Sequence, residues 1–410
     1  MTTLPAWRLD PLPKTYRDGT HRAAPPEATL ARVRPFMAAA GITRLAMLTG
    51  LDVIGIPVAA SYRPNSRSVA VHQGKGVTVA AAKASAVMEA IETFHAETLT
   101  LPLRLASYEE MRRVGPAVDP LTLPRTGPDA PVDQRLLWAE GVDLADGAPV
   151  WAPHELVGID LTAAAQPGDG VFQATTNGLA SGNHWTDAVA SALYEVVERD
   201  AVTLWQRMPA AEQDARAVDL ATVDGAVSRT LLPRFHAAGV VVGVWDVASD
   251  IGLPAFACLA VSAQGTDGVA PELGFGCHAD RDVALSRALT EAAQARLTVI
   301  SGARDDIGEG GYRDSGLLRQ HRAARDWLLP PGRRDYRTIP SVAGDTLAFD
   351  LDAALACLAR AGFGQVICFD LTRPEFGVPV VRVIVPGLEG PWAPPGGEYH
   401  PGRRALEQAA

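Results

Sequence analysis

The 410-residue chain is poor in cysteine: Cys258, Cys277, Cys357 and Cys368 are the full set, without metal-ligand spacing and mostly in apolar surroundings. That disfavours a disulfide scaffold or a cysteine-bound zinc and leads us to expect buried free thiols in a reducing cytoplasm. Long apolar runs are also missing. The stretch from Leu45 to Ala60 is too short to span a bilayer and is broken by Asp52 and Pro57. The opening MTTLPAWRLDPLPKTYRDG has prolines and acids where a signal peptide needs an apolar core, so we read a mature, cytoplasmic sequence. Aromatics make up 6% of the residues, the net charge is -10, and no Lys/Arg block is interleaved with aromatics. A nucleic-acid groove is disfavoured on that basis. Common catalytic signatures are absent as well. HQGKGV lacks the Walker glycine and the Ser/Thr after lysine, GFGCHA lacks the third glycine of a dinucleotide turn, and no HExxH, CxxC or GxSxG occurs.

What is present is a repeat. In SALYEVVERD, Ser191, Glu195 and Glu198 stand at i, i+4 and i+7, one face of a helix whose other positions are largely apolar. The stretch GKGVTVAAAKASAVMEAIE places Ser85, Glu89 and Glu92 on the same stripe, and GFGCHADRDVALSRALTEAAQ places Arg287, Glu291 and Gln294 there. The segments LDVIGIPVAA, VDLADGAPVWA, WDVASDIGLPAFACLAV and FDLTRPEFGVPVVRVIV share a plan of Asp, polar turn, Gly, Pro and strand-like run, which makes them hairpin candidates. The expected fold is therefore α+β: hairpin, Gly-rich turn and helix three times over, then a last hairpin over 369–385, with three helices converging on one centre. The spacing is too long for a solenoid. No stretch separates two cores, so we expect one large domain over 45–390, a Pro-rich extension over 1–44 that wraps the surface, and a tail over 391–410. The prolines of 114–133 predict a loop, and 302–316 with the RQHRAARDWLLPPGRRDY that follows reads as an exposed polar excursion.

Charged stripes usually face water. Here the remaining faces offer little else but Ala, Val, Leu and Ile, so an inward stripe is favoured, and converging carboxylates repel unless cations lie between them. Divalent metal, Mg²⁺ above all, answers that need. Lys75, Arg199 and Arg287 lie on or beside the same elements and suit phosphate oxygens. Glycines 74, 76, 178, 182, 274 and 276 precede the helices, whose N-termini favour anions. Together these point to a nucleotide with Mg²⁺. His72, His95, His184 and His278 near the same turns read as structural.

The stretches GKG…SAVMEAIE, TNGLASGN…SALYEVVERDA, RALTEAAQAR and GVPVVRVIVPGLEG resemble the YcaO family, in order, from about Leu45 to Glu389. GITRLAMLTGLDVIGIPVAASYRPNSRSVAVHQGKG is most similar to the subgroup that works with a TfuA partner. The resemblance implies an ATP- and Mg²⁺-dependent enzyme acting on backbone amides of a ribosomally made peptide. A nucleophile adds to the carbonyl, ATP phosphorylates the oxyanion, and phosphate leaves. A side-chain Cys, Ser or Thr nucleophile gives an azoline, external sulfide a thioamide. It also implies metal positions at Glu89, Glu92, Glu195, Glu198 and Glu291, with Ser85, Ser191, Arg199, Arg287, Gln294, Asn183 and Asp187 at the nucleotide. Lys75 fits a phosphate by its chemistry.

One departure from the family pattern stands out. Many azoline-forming members end in a proline-alternating tail, whereas this sequence ends GGEYHPGRRALEQAA, and we expect no fused peptide-docking domain. The expectation is thus thioamide formation on a precursor peptide or protein, with a sulfur donor, a TfuA-like partner and self-association as a homodimer. Azoline cyclodehydration is the alternative. A Mg²⁺-dependent phosphotransferase or hydrolase on a small molecule, and a non-catalytic ATP-binding scaffold, are the readings from other classes. No general base is identifiable from the sequence.

Overall fold

A computed structural model describes residues 11–127, 133–162, 168–264, 269–302, 317–328, 332–390 and 400–408. The hairpin plan appears as strands. After helix α1 (Pro26–Val33), strands β1 (Arg44–Met47), β2 (Val58–Tyr62) and β3 (Val71–Lys75) form an antiparallel sheet that leads into α2 (Val79–Ala96). The middle unit runs β4 (Leu103–Ala106), α3 (Tyr108–Val114), β5 (Leu136–Asp143), β6 (Pro149–Pro153), β7 (Leu179–Ser181) and α4 (Trp185–Arg207). The third follows α5 (Ala210–Ala215), β8 (Val218–Asp219) and α6 (Ser228–Ala237). It consists of β9 (Val240–Asp246), β10 (Ala255–Ser262), β11 (Glu272–Cys277) and α7 (Arg281–Ser301). The chain then continues through α8 (Leu317–Leu328), β12 (Arg334–Asp335), α9 (Leu347–Arg360), the hairpin β13 (Ile367–Asp370) and β14 (Val380–Ile384), and α10 (Arg403–Gln408).

The first and third units each close their own three-stranded sheet, but the middle one does not. Its β7 pairs with β14, and β13 pairs with β5, so the last hairpin is inserted into a sheet ordered β4-β5-β13-β14-β7, with β6 on the other side of β5. The repeat is thus completed by a segment about two hundred residues downstream.

The glycines have a different role from the one their sequence context suggested. Gly74, Gly274 and Gly276 lie within strands, not in phosphate-cradling turns. A Cβ on Gly74 would stand 2.0 Å from the Ala86 nitrogen, and one on Gly274 2.1 Å from the Ala292 nitrogen. Strand and helix backbones are in direct contact there, which Ala82, Ala86, Ala288 and Ala292 on the helix side also require. The helix starts are capped by side chains: Thr78 accepts from Ala81 N, His184 from Thr186 N, and Asp280 from Asp282 N and Val283 N.

Two further expectations are corrected. Of the polar excursion, 303–316 lies outside the described residues, but 317–328 is a helix. Its Trp327 stacks on Trp245 at 4.4 Å and on Trp205 at 6.0 Å, so an apolar face hidden among arginines docks on the core. The Pro-rich amino-terminal segment does not merely wrap the surface, because Tyr16, Asp18, Arg22, Thr29 and some of the residues between them line the central cavity. All four cysteines are buried and free.

The close strand–helix approach is testable. Gly274→Ala should lower the unfolding free energy by about 1–3 kcal/mol in urea titration, while Gly364→Ala, with open space around it, should stay within about 0.5 kcal/mol. Equal effects at the two sites would show that the backbone contact is not what Gly274 serves.

Candidate functional site

Helices α2, α4 and α7 turn their stripes toward one cavity of about 620 Å³. Its lining includes Lys75, Ser85, Glu89, Glu92, Asn183, Asp187, Ser191, Glu195, Glu198, Arg199, Arg287, Glu291 and Gln294, so every site residue expected from the sequence reaches the same space.

The carboxylates are held in fixed directions. Glu92 accepts from Ser181 N (2.8 Å) and Ser181 Oγ (2.7 Å), which ties α2 to β7. Glu198, 2% exposed, accepts from Cys277 N at 2.9 Å, which ties α4 to β11. Glu291 pairs with Lys75, and Gln294 donates to the Gln73 carbonyl at 2.8 Å, tying α7 to β3. The stripe residues thus stitch neighbouring units together around the cavity. Lys75, expected at a phosphate, spends its charge on Glu291 in this structure.

Burial pushes the Glu92 carboxyl up to about 8 despite the Ser181 hydroxyl, with Glu89 and Glu195 adding to the rise. It pushes Glu195 up to about 7 against the opposing pull of Arg199. Glu198 is also raised by burial, again against Arg199. Burial would raise Glu291 too, but Lys75, then Arg199, hold it below its ordinary value. On the α2–α4 side of the cavity, burial thus disfavours the ionised carboxylates, and the nearby cations offset only part of that cost. A divalent cation fits that deficit, with Glu89, Glu92, Glu195, Glu198 and Glu291 as the available oxygen donors. The Arg287 Nε is buried, has no hydrogen-bond partner among the described residues and fits a phosphate oxygen.

Sequence reasoning missed the wall contributed by the amino-terminal segment. Arg22 donates to Asp187 Oδ1 (2.9 Å) and to Ser191 Oγ (2.6 Å), and Thr29 Oγ1 accepts from Asn183 Nδ2 (2.8 Å). Lys14 anchors this segment through a fully buried ion pair with Asp350 at 2.5 Å. None of Arg22, Thr29 and Lys14 belongs to the repeat, so the pattern that found the stripes carried no signal for them. Glu272, at the first residue of β11, also lines the cavity and was not anticipated. The four histidines have packing and hydrogen-bonding roles. His184 caps α4, His278 packs on Tyr194 at 4.6 Å, and His95 is kept neutral, lowered to about 4 by burial. His72 is buried near Thr93.

The model of the family described as YcaO cyclodehydratase, ATP- and Mg²⁺-binding, matches residues 73–389. The chain belongs to the YcaO family. A relative from Rhizobium leguminosarum bv. trifolii, an uncharacterized protein in the tfuA 3′ region, is 37% identical over 380 residues, covering 90% of this chain and 88% of that one. A Methanothermobacter thermautotrophicus protein is 36% identical over 379 residues, covering 90% of this chain and 95% of the other. Among solved structures, YcaO from Methanopyrus kandleri bound with AMPPCP and Mg²⁺ superposes with a TM-score of 0.73 at 27% identity, covering 92% of this chain and 95% of that one. A heterocyclase in complex with substrate and cofactor gives a TM-score of 0.74 at 23% identity, which speaks for the fold. This chain is covered to 92% and spans 54% of that longer protein. The mixed α/β architecture is therefore the YcaO fold, and ATP and Mg²⁺ are the cofactors of this family.

The buried carboxylates set a pH dependence. Glu92, whose ordinary value is 4.5, binds its proton more tightly in the folded chain, with a value of about 8. Its contribution to stability is full below the unfolded value and is lost as pH rises through the folded one, and Glu195 acts in the same direction up to about 7. Without nucleotide or metal, the Tm should fall between about pH 5 and pH 8, and Glu92→Gln should flatten that decline. A Tm rising over this range, or an unchanged slope in the variant, would show that these carboxyls are not protonated in the free protein.

Proposed function

We propose that this YcaO enzyme uses ATP and Mg²⁺ to activate a backbone amide of a ribosomally made peptide or protein and, with an external sulfur source and a TfuA-like partner, converts it to a thioamide. The observation that carries amide activation is the single cavity in which three stripes of acid and base meet. It suits a triphosphate with its metal and leaves room for a further reactant. The thioamide product is supported by the relative in the tfuA 3′ region and by the TfuA-type pattern of residues 41–76.

In this reading the chain's residues divide the work. Glu89, Glu92, Glu195, Glu198 and Glu291 hold Mg²⁺, which when bound neutralises charge on the transferring phosphoryl group. Arg287 and Arg199 hold phosphate oxygens, with Lys75 beside them through Glu291. Ser85, Ser191, Asn183, Asp187 and Gln294 fix the nucleotide, joined by Arg22 and Thr29 from the amino-terminal segment. Phosphoryl transfer is mainly positioning and charge stabilisation, so a fixed constellation of this kind suffices for that step. Phosphorylating the amide oxygen turns a poor leaving group into a good one.

The test is mass spectrometry of peptides encoded beside the gene, incubated with the enzyme, ATP, Mg²⁺, sodium sulfide and the TfuA-like protein. A gain equal to the difference between sulfur and oxygen is expected. Loss of one water at Cys, Ser or Thr without sulfide would replace thioamidation by azoline formation. ATP turnover with transfer to a small molecule and no peptide change would overturn amide activation.

A further inference from the structure

One carboxylate of the cavity has no place in the nucleotide and metal constellation. Glu272 opens β11, the strand that packs along α7. Gly276 lies against Ala284 and Ala288 of that helix and Gly274 against Ala288 and Ala292, so the strand runs antiparallel to the helix. Glu272 stands two residues beyond Gly274, about 7 Å further along. It therefore sits past Glu291, toward the end of the cavity lined by Leu273, Ala295, Thr298 and Val299. That end is much less charged than the stripes.

No hydrogen bond or ion pair engages the Glu272 carboxylate among the described residues. The cation that acts on it is Arg296, whose guanidinium is already held by Asp52 at 3.0 and 3.1 Å. The other charged groups of the adjoining walls are Lys75 on β3, Glu198 and Arg199 on α4, and Arg287 and Glu291 on α7; Lys75 pairs with Glu291 and Arg199 with Glu198, and Arg287 is the residue that fits a phosphate. A carboxylate in a cavity with no partner of its own is available to a substrate.

We propose that Glu272 is a catalytic residue, the acceptor of the proton carried by the nucleophile that attacks the amide. The proposal rests on the amide-activating reading given above. In the thioamide reaction the hydrosulfide sulfur bonds to the carbonyl carbon, and the π electrons move to oxygen. That oxyanion takes the γ-phosphoryl group as the bond to ADP breaks. Glu272 then removes the S–H proton, C=S forms, the C–O bond breaks, and the proton passes to the departing phosphate. Amide, hydrosulfide and ATP become thioamide, ADP and hydrogen phosphate, and Glu272 is regenerated. With a side-chain thiol or hydroxyl as nucleophile, the same carboxylate takes that group's proton. Burial, opposed by Arg296, pushes Glu272 up to about 7, a value matched to proton transfer near neutrality.

The experiment compares wild type, Glu272→Gln and Glu272→Asp on the peptide that the wild type modifies, with ATP, Mg²⁺, sodium sulfide and the TfuA-like protein present. Glu272→Gln should lower kcat at least about 100-fold while leaving Mg-ATP affinity within about threefold and the thermal melt intact. Glu272→Asp should recover part of the rate. The acid limb of the wild-type kcat profile near pH 7 should vanish in the Gln variant. A Gln variant within about threefold of wild-type kcat overturns the role and leaves amide activation standing. Loss of Mg-ATP affinity in parallel with kcat overturns it in favour of nucleotide binding. A wild type that modifies no peptide overturns both readings together.

Discussion

Carboxylates buried on facing helices repel one another and lose their hydration, and the architecture around them can be read as the means of holding them there regardless. One carboxylate of each stripe is gripped by an element of a neighbouring unit: Glu92 by Ser181 of β7, Glu198 by the Cys277 amide of β11, Glu291 by Lys75 of β3. These contacts offset part of the desolvation penalty and fix where each oxygen points. They do not offset all of it, since burial still raises the Glu92 and Glu195 carboxyls. The residual deficit is the chemical reason for a divalent cation at this centre.

Bringing three helices that close to one centre requires thin walls. The strand glycines and helix alanines supply them, since backbone-to-backbone contact between β3 and α2, and between β11 and α7, leaves no room for side chains. The stripes then occupy the face of each helix that turns toward the cavity. The amino-terminal segment closes the remaining side, latched by Lys14 on Asp350 and by the Gly19 carbonyl on Ser286, and delivers Arg22 to Asp187 and Ser191. Specificity and reactivity are thus shared between a repeated scaffold and elements found once.

That division explains what the sequence could reveal. The stripes recur at fixed spacing, and so do the Asp…Gly-x-Pro hairpins, so periodicity alone indicated three helices, their sheets and one centre. Periodicity could not show that β13 and β14 complete the middle sheet, because nothing in a hairpin's own residues names its distant partner strands. The glycines were visible but ambiguous, since a helix approach and an anion cradle use the same residue. Arg22 and Thr29 precede the repeat and belong to no pattern, and Glu272 is a lone acid on a strand whose importance depends on what faces it. Trp327 was hidden by the arginines around it, which snorkel outward while the indole stacks inward.

The central claim is that the stripes form one centre for Mg²⁺ and ATP, and calorimetric titration of Mg-ATP into wild type, Glu89→Gln and Glu198→Gln tests it most directly. An amide keeps the shape and the hydrogen bonding but not the ionic ligation, so affinity should fall at least about tenfold in each variant with the fold unchanged. Wild-type affinity in both variants would contradict the account and return these glutamates to the role of hydrogen-bonded ties between units.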